Sequence, residues 1–400
     1  MSHGATMERV RRLIAGPGNE SIEAARAARM PVVGYFCSYT PAEIMTAAGC
    51  LPVRMRGASS ADSATADVYM SSRVCTYVRH AVCLVLEGKY DFLEGVVCAN
   101  TCDHVRRSFD VFRHKTDLSF FGFLSVPRSA RESLYPYYRE EVANLKESLE
   151  KHFAKRIDED SLREAIRLHN AVRRRLARLD ELRASDESAL TGADMLALTV
   201  ASQVIAPGDF EKLADELEDG LEGEPGGEAR ARLLLAGGEL DEPEWVAAVE
   251  GQGARIVADS LCLGMRAHQS LVAEDSDDPL DAICRRYFFQ VSCARMIGNF
   301  PDRAEALFAE AERREVDGVI FQRLKFCDPW GGEAHNLRLR AARRELPLLV
   351  IEREYGLVNS GQLRTRVQAF MEMIESRRAR RRRLAAKASA AAAEGASKDA

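Results

Sequence analysis

Short apolar runs alternate along the chain with segments that repeat apolar residues at helical spacing. Eight runs are rich in β-branched or aromatic residues and predict strands at residues 31–38, 51–57, 95–102, 120–126, 232–238, 254–259, 318–327 and 347–354. Strands that alternate with helices of about 10–15 residues indicate βαβ units and a mostly parallel sheet. The pattern therefore predicts an α/β fold.

The alternation is interrupted once, and the interruption divides the chain. Residues 129–228 are charged and helical in pattern, so we expect a helical connecting region there. It separates an N-terminal α/β domain, 1–128, from a C-terminal α/β domain, 229–376. Both are expected to be doubly wound, Rossmann-like domains with parallel sheets. Residues 377–400 are rich in Arg and then in Ala, and we expect a disordered tail.

Composition and charge narrow the class of protein. The chain has 400 residues, of which 46% are hydrophobic, enough for two cores. A net charge of −5 gives no indication of a nucleic-acid partner. The N-terminus lacks the apolar segment of a signal peptide, and no run approaches the roughly 20 apolar residues that span a membrane. We expect a cytoplasmic protein with reduced thiols, some of which serve metal or redox chemistry.

The ten cysteines fall into two groups by position. For five of them, packing in the core is the favoured role: Cys50, Cys83, Cys98, Cys284 and Cys293. The others lie at strand ends or near a helix start, where the helix dipole and free backbone donors lower a thiol pKa: Cys37, Cys75, Cys102, Cys262 and Cys327. No two of these form a CxxC pair, which argues against a zinc ribbon or a thioredoxin-type site. Such scattered spacing suits an iron–sulfur cluster between domains, while simple packing stays open for each single thiol.

Cys102 and Cys327 are the first candidates within the second group. Each ends a predicted strand, is followed directly by Asp and precedes a predicted helix. Ligands of open α/β sheets bind at this carboxyl edge. The two thiols belong to different halves of the chain, so a group bound by both would lie between the halves.

Five segments of the chain resemble one known family. They are GYFCSYTPAEIMTAAGCLPVRMRG from residue 34, GVVCANTCDHVRRSFDVFR from 95, DGVIFQRLKFCDPWGGEAHNLR from 317, LPLLVIEREYG from 346 and GQLRTRVQAFMEMIE from 361. The family is that of the iron–sulfur subunits of 2-hydroxyacyl-CoA dehydratases and ATP-dependent benzoyl-CoA reductases. The resemblance covers most of the chain outside the helical middle and the tail.

The resemblance implies one [4Fe–4S] cluster held by three cysteines, with the fourth iron open. The matching positions are Cys75 in SSRVCTYVR, Cys102 in NTCDHVRR and Cys327 in KFCDPW. An open iron can take water, hydroxide or a substrate oxygen, whereas a fully ligated cluster only passes electrons. Among the five candidate thiols, Cys75 is preferred over Cys37 and Cys262 only because of the resemblance.

The function implied is that of a subunit of a lyase that dehydrates an (R)-2-hydroxyacyl-CoA to a 2-enoyl-CoA through a ketyl radical. A related second subunit is expected in a heterodimer, and a separate ATP-driven iron–sulfur activator would supply the electron. One alternative is a subunit of benzoyl-CoA reductase, acting on an aroyl-CoA. Another is an electron-transfer or cluster-carrier protein without a substrate site, in which Cys37 or Cys262 is a fourth ligand. A third is an α/β scaffold with merely buried thiols.

Three further residues are candidates for contact with substrate. Ser38 follows the first strand, where its hydroxyl could face a thioester carbonyl or cap the next helix. Arg364 and Arg366 open the last predicted helix and could bind CoA phosphates. They could equally pair with Glu352 and Glu354 of the preceding strand.

Two absent motifs and one departure from the family pattern limit the role of this chain. It contains no G-x-x-x-x-G-K-[ST] loop and no G-x-G-x-x-G after a strand, so we expect neither ATP hydrolysis nor a bound dinucleotide here. In the substrate-binding subunits of the family an acidic residue follows a Pro after the first βα unit. The corresponding run here, LPVRM at 51–55, has no carboxylate. This indicates the companion subunit of a heterodimer.

Overall fold

Eight strands form two parallel sheets of four. The structure is a computed structural model that describes residues 2–221, 227, 229–356 and 361–396. The first sheet has the order β2-β1-β3-β4 and contains β1 (Val32–Tyr35), β2 (Leu51–Arg54), β3 (Gly95–Ala99) and β4 (Phe120–Leu124). The second has the order β6-β5-β7-β8 and contains β5 (Ala231–Gly237), β6 (Ala254–Ser260), β7 (Gly318–Leu324) and β8 (Leu348–Arg353). All pairs are parallel.

The strand order confirms the predicted α/β class with two Rossmann-like domains. In each sheet the second strand of the chain lies on one side of the first strand, and the third lies on the other. Each sheet therefore has a switch point, between β1 and β3 and between β5 and β7. At such a point the following loops diverge and leave a crevice at the carboxyl edge.

Helices cover the faces of both sheets and fill the region between them. They are α1 (His3–Ile14), α2 (Glu20–Ala27), α3 (Ala42–Ala47), α4 (Ala64–Asp67), α5 (Thr76–Leu86), α6 (Asp103–Lys115), α7 (Tyr135–Phe153), α8 (Glu159–Ala184), α9 (Gly192–Ala201), α10 (Pro207–Leu221), α11 (Pro243–Glu250), α12 (Pro279–Arg285), α13 (Phe300–Arg313), α14 (Asp328–Arg343) and α15 (Gly361–Ala396). In the described part of the chain, none of them combines the length and apolar character needed to cross a membrane.

The helices of the middle region pack on both halves of the chain. Helix α8 contacts α3 of the N-terminal half and β6 of the C-terminal half, and α9 and α10 contact α1. The buried residues Leu176 and Leu179 of α8 belong to a hydrophobic cluster that includes residues of both sheets. The helices are thus part of a shared core. The residue boundaries of the three regions stay a prediction.

One predicted helix, at 279–296, is shorter in the structure. Helix α12 ends at Arg285, a π-helical turn covers Arg286–Gln290, and the chain is irregular around Cys293. In the wider turn, Tyr287 Oη donates to the buried carboxylate of Glu43 at 2.8 Å. Tertiary contacts of this kind stabilise the π turn, which local propensity does not predict. As a result, Cys293 is released from the helix.

The structure also differs from the expectation of a disordered tail. Helix α15 continues without a break from Gly361 to Ala396, and residues 397–400 lie outside the described part of the chain. Arg378 Nη1 donates to the Arg230 carbonyl at 2.6 Å, so the first turn beyond the predicted domain contacts the second sheet. The physical reason for the continuation is composition, because Ala, Arg and Lys are strong helix formers.

Candidate functional site

Three thiols occupy the N-cap positions of three helices. Cys75 precedes α5, Cys102 precedes α6 and Cys327 precedes α14. At Cys102 the Sγ atom accepts a hydrogen bond from the Val105 backbone N–H at 3.5 Å. The first turn of a helix leaves backbone N–H groups without helical partners, and its dipole favours negative charge. These positions therefore suit sulfur atoms that bind a cation as thiolates.

Two residues at strand ends have left-handed backbone conformations. Phe326, directly before Cys327, has a φ of 66°, and Cys37, after β1, has a φ of 75°. Such values are uncommon outside glycine and cost free energy, which surrounding structure must offset. At both positions the sharp turn directs the chain into the crevice at the end of a strand.

The two carboxyl edges meet at one cavity that six thiols line. Its volume is about 620 Å³, and its thiols are Cys37, Cys75, Cys102, Cys262, Cys293 and Cys327. All ten cysteines of the chain are free. The structure thus brings together the three cysteines implied by the family resemblance and adds Cys37 and Cys262. It also adds Cys293, for which core packing was expected. We call this space the thiol cavity.

The six thiols form two groups by their mutual electrostatic effects. In the first trio, Cys75, Cys102 and Cys327, each thiolate raises the pKa of a neighbour. The second trio is formed in the same way: Cys37, Cys262 and Cys293. Cys293 also acts on Cys102, which joins the two trios.

Burial raises the thiol pKa values in this cavity. It brings the pKa of Cys37 to about 11 and those of Cys102 and Cys293 to about 12. The pKa of Cys327 also lies well above its ordinary value, chiefly because of burial. The expected lowering by helix N-termini is therefore wrong as a net effect, because desolvation is larger than the hydrogen bonds from the backbone. Thiolates become stable here when a cationic group is bound.

The donor set fits an iron–sulfur cluster better than a single metal ion. Within the described residues, no three or more His, Cys, Asp or Glu side chains are arranged so that they could hold a metal ion. In a cluster, each thiolate binds a different iron, so the sulfur atoms need not converge on one point. The cavity is otherwise lined by apolar side chains, including Phe36, Val78 and Trp330. Reduced, buried thiols in such surroundings are the ligands that iron–sulfur clusters require.

The two trios have different charged neighbours. The carboxylate of Glu239 lines the cavity and raises the pKa values of Cys75, Cys102 and Cys327, after the larger effect of burial. Beside the second trio, Arg54 Nη2 donates to Cys262 Sγ at 3.4 Å. The cavity therefore has a negative side at the first trio and a positive side at the second.

A cleft of about 370 Å³ adjoins the first trio and shares part of the cavity wall. The shared residues are Thr101, Cys102, His104, Arg295 and Pro329. His104 Nδ1 accepts a hydrogen bond from the Cys75 backbone N–H at 3.1 Å, which leaves Nε2 to carry the proton of the neutral ring. Burial lowers the pKa of His104, so the ring is neutral near pH 7. The arrangement provides a way in for a ligand and a proton donor beside it.

Ser38 lies behind the thiol cavity. Its Oγ donates to the Cys262 carbonyl at 3.0 Å and accepts from Arg54 Nη1 at 3.4 Å. The alternative role as a helix cap is wrong, because the N-cap of α3 is Pro41 and has no side-chain hydrogen bond. Ser38 lines a separate small polar cavity with His169 and other residues, and contact with a thioester stays a prediction.

Arg364 and Arg366 lie on α15, away from the residues that line the thiol cavity. Arg364 is exposed, and Arg366 Nη2 donates to the Val350 carbonyl at 2.6 Å. The alternative pairing with Glu352 and Glu354 is wrong, because these carboxylates bind Arg323 and Lys325 among the described residues. A role of the two arginines in CoA binding stays a prediction.

Comparisons with known proteins agree with this geometry. A family model described as 2-hydroxyglutaryl-CoA dehydratase, D-component, matches residues 37–374. YjiM of Escherichia coli strain K12, provisionally named a dehydratase subunit, is 28% identical over 366 residues, covering 86% of this chain and 92% of the relative. The (R)-phenyllactyl-CoA dehydratase beta subunit of Clostridium sporogenes is 24% identical over 348 residues, covering 86% and 91%.

A third relative belongs to a reductase. One of the benzoyl-CoA reductase subunits of Thauera aromatica is 25% identical over 339 residues, which cover 83% of this chain and 87% of the relative. The match of the family model spans both sheets and all six thiols of the cavity. The resemblance inferred from the motifs is thereby confirmed. The chain belongs to the 2-hydroxyglutaryl-CoA dehydratase D-component family.

Proposed function

We propose that this chain is the iron–sulfur subunit of an enzyme that acts on acyl-CoA thioesters, with dehydration of an (R)-2-hydroxyacyl-CoA as its reaction. The observation that carries the proposal is the meeting of six free thiols, from both sheets, in one cavity beside an open cleft. Cys75, Cys102 and Cys327 would hold a [4Fe–4S] cluster. When bound, the cluster would supply low-potential electrons and an open iron as a Lewis acid.

The residues of the chain would hold the substrate in a dry site and manage one proton. Phe36, Val78 and Trp330 exclude water from the sulfur atoms. His104 presents its Nε2–H where the cleft meets the cavity, so it can donate a proton to a leaving hydroxyl group. In the overall reaction the 2-hydroxyl group and a β-proton leave as water, and the electron added to the thioester is returned.

We expect the protein to act with two partners. The dehydratase and reductase relatives are each named as one subunit of their enzyme, which supports a related second subunit here. A separate ATP-dependent iron–sulfur activator would supply the electron, since the sequence contains no phosphate-binding loop of the Walker type. A reducing compartment such as the cytoplasm would keep the ten thiols available.

The second trio favours another candidate function, electron storage for a reductase. Cys37, Cys262 and Cys293 lie in the same cavity and could bind a larger or second cluster. If every iron were bound by cysteine, no open iron would remain for a hydroxyl group. Such a protein would deliver electrons in the manner of a benzoyl-CoA reductase and would not dehydrate its substrate.

Anaerobic purification with iron analysis and Mössbauer spectroscopy tests both functions. Cys75→Ser, Cys102→Ser and Cys327→Ser should each lose the cluster of roughly four irons, and Cys50→Ser is the matched control outside the cavity. One distinguishable iron site, with turnover of a 2-hydroxyacyl-CoA once partner and activator are added, would support the dehydratase.

The second trio is tested by Cys37→Ser, Cys262→Ser and Cys293→Ser in the same analysis. Roughly eight irons per chain, with about half lost from variants of either trio, would support the electron-storing reductase. Iron that survives all three substitutions in the first trio would contradict the ligand set.

A further inference from the structure

Arg54 is a buried guanidinium without a carboxylate partner. The side chain lies at the end of β2 and is 2% exposed. No ion pair of the described residues includes it, and its Nε atom has no hydrogen-bond partner. Its carbon Cζ lies 5.5 Å from the centre of the Tyr35 ring. A buried charge without compensation is costly, so another anion is expected to stabilise it.

Arg56 shows what a compensated arginine looks like two residues further on. It is also 2% exposed, but its Nη1 atom lies 3.1 Å from Asp241 Oδ2, and Nη2 donates to the Ile14 carbonyl. Arg56 does not line the thiol cavity, whereas Arg54 does. The chain therefore contains a matched pair of buried arginines that differ in their partner.

The guanidinium of Arg54 is directed at the second trio. Nη2 donates to Cys262 Sγ at 3.4 Å, and Nη1 donates to Ser38 Oγ, which in turn donates to the Cys262 carbonyl. The planar group thus contacts both the sulfur and the segment that carries it. A hydrogen bond of this kind is weak with a neutral thiol and strong with a sulfur that carries negative charge.

Two other buried arginines add to the positive side of the cavity. Arg266 stacks on Trp330 at 4.5 Å and leaves Nη2 without a partner, and its charge acts on Cys293. Arg295 donates to backbone carbonyls of Thr101 and Val126 and lines the cavity. The first trio, by contrast, faces the carboxylate of Glu239.

We propose that Arg54 is a positioning residue that supplies the counter-charge for the second-trio end of the iron–sulfur site and raises the reduction potential there. The inference rests on the proposed iron–sulfur function of the cavity. Reduction adds one electron from a low-potential donor and makes the site more negative. A fixed positive charge in a region of low dielectric constant stabilises the reduced form, so the electron resides at the Cys262 end.

A redox titration of the anaerobically purified full chain, monitored by EPR, tests the proposal. In Arg54→Gln we expect at least a tenfold fall in the ratio of reduced to oxidised centre at a fixed potential. For one electron this is a shift of about 59 mV to more negative potential. Arg54→Lys keeps the charge and should shift the ratio much less, and Arg56→Gln, the matched control, should leave it unchanged.

An unchanged potential in Arg54→Gln with full iron content would overturn the role of Arg54. Equal shifts in Arg54→Gln and Arg54→Lys, or in Arg54→Gln and Arg56→Gln, would also overturn it, because the charge beside Cys262 would not be the cause. Loss of iron from Arg54→Gln and Arg54→Met, but not from Arg54→Lys and Arg56→Gln, would support it. Absence of iron from the unsubstituted protein would instead contradict the proposed function.

Discussion

Gly237 closes β5 in a conformation that only glycine adopts readily. Its φ is 136°, and a Cβ atom at this position would lie 1.8 Å from the Gln322 carbonyl oxygen of β7. The close approach of the two strands occurs at the switch point of the second sheet, where the chain turns toward the thiol cavity. The absence of a side chain thus determines how closely the strands that lead to Gly238 and Cys327 can pack.

Gly237→Ala should therefore destabilise the protein by at least about 2 kcal/mol, from backbone strain and the clash with β7. Urea unfolding at constant pH measures the loss. Gly208→Ala is the control, because Gly208 is an exposed helical residue with no atom within 4 Å of its Cβ position. That substitution should be stabilising by up to about 1 kcal/mol. Equal effects of the two would contradict the strain argument.

At the scale of elements, a polar cluster joins α3 and α8 to the π turn. Arg173 of α8 pairs with Glu43 of α3, which also accepts from Tyr287. His169 Nε2 lies 2.9 Å from Thr46 Oγ1, and burial lowers the pKa of His169 to about 4. The cluster explains why the predicted helix 279–296 ends early, since the turn must widen for Tyr287 to reach Glu43.

The same cluster makes stability depend on pH through His268. Burial, followed by the charges of Arg173 and Arg286, lowers the pKa of His268 to about 3. The unfolded chain binds this proton below about pH 6.5, so the free energy of unfolding falls as pH decreases from about 6.5 to 3. One histidine contributes about 1.4 kcal/mol per pH unit in this window.

His268→Gln should reduce that slope by about 1.4 kcal/mol per pH unit, as measured by urea unfolding between about pH 4 and 6.5. Ser202→Ala removes the hydroxyl 3.4 Å from His268 Nε2 but keeps the histidine, so its slope should equal that of the unsubstituted protein. His169 contributes in both variants. An unchanged slope in His268→Gln would mean that this ring is protonated in the folded state.

At the scale of the whole molecule, a buried ion pair joins the two halves. Arg56, just after β2, pairs with Asp241, which follows β5 and also accepts from Tyr355 Oη at 2.9 Å. The backbone N–H of Tyr355 in turn donates to Thr76 Oγ1, at the start of α5, at 3.0 Å. These bonds hold the carboxyl edges of the two sheets face to face around the thiol cavity.

Asp241→Asn should cost about 3–5 kcal/mol in the free energy of unfolding, because it leaves Arg56 as an uncompensated buried charge. Iron content should fall as the two halves separate. Glu305→Gln breaks an exposed pair with Arg344 and should change stability by less than about 1 kcal/mol. A small effect of Asp241→Asn would show that other contacts between the halves suffice.

Much of the fold follows from local patterns in the sequence. All eight strands and the helix starts at Cys75, Cys102 and Cys327 depend on residues within a few positions, because apolar period and helix capping are local effects. The disordered tail is the main local prediction that differs from the structure. A charged, low-complexity composition favours disorder, but the same residues have high helix propensity, and α15 extends through them.

The membership of the site depends on distant residues. Cys293 joins the second trio only because the π turn ends a helix early, and Arg54 faces Cys262 only because the two sheets meet edge to edge. Glu239 was not predicted at all, since a lone Glu after a strand has no local signature. The sequence by itself thus determined the elements and the thiols at their ends. The tertiary structure alone decided which thiols share a cavity and which charges face them, because packing between the halves brings these groups together.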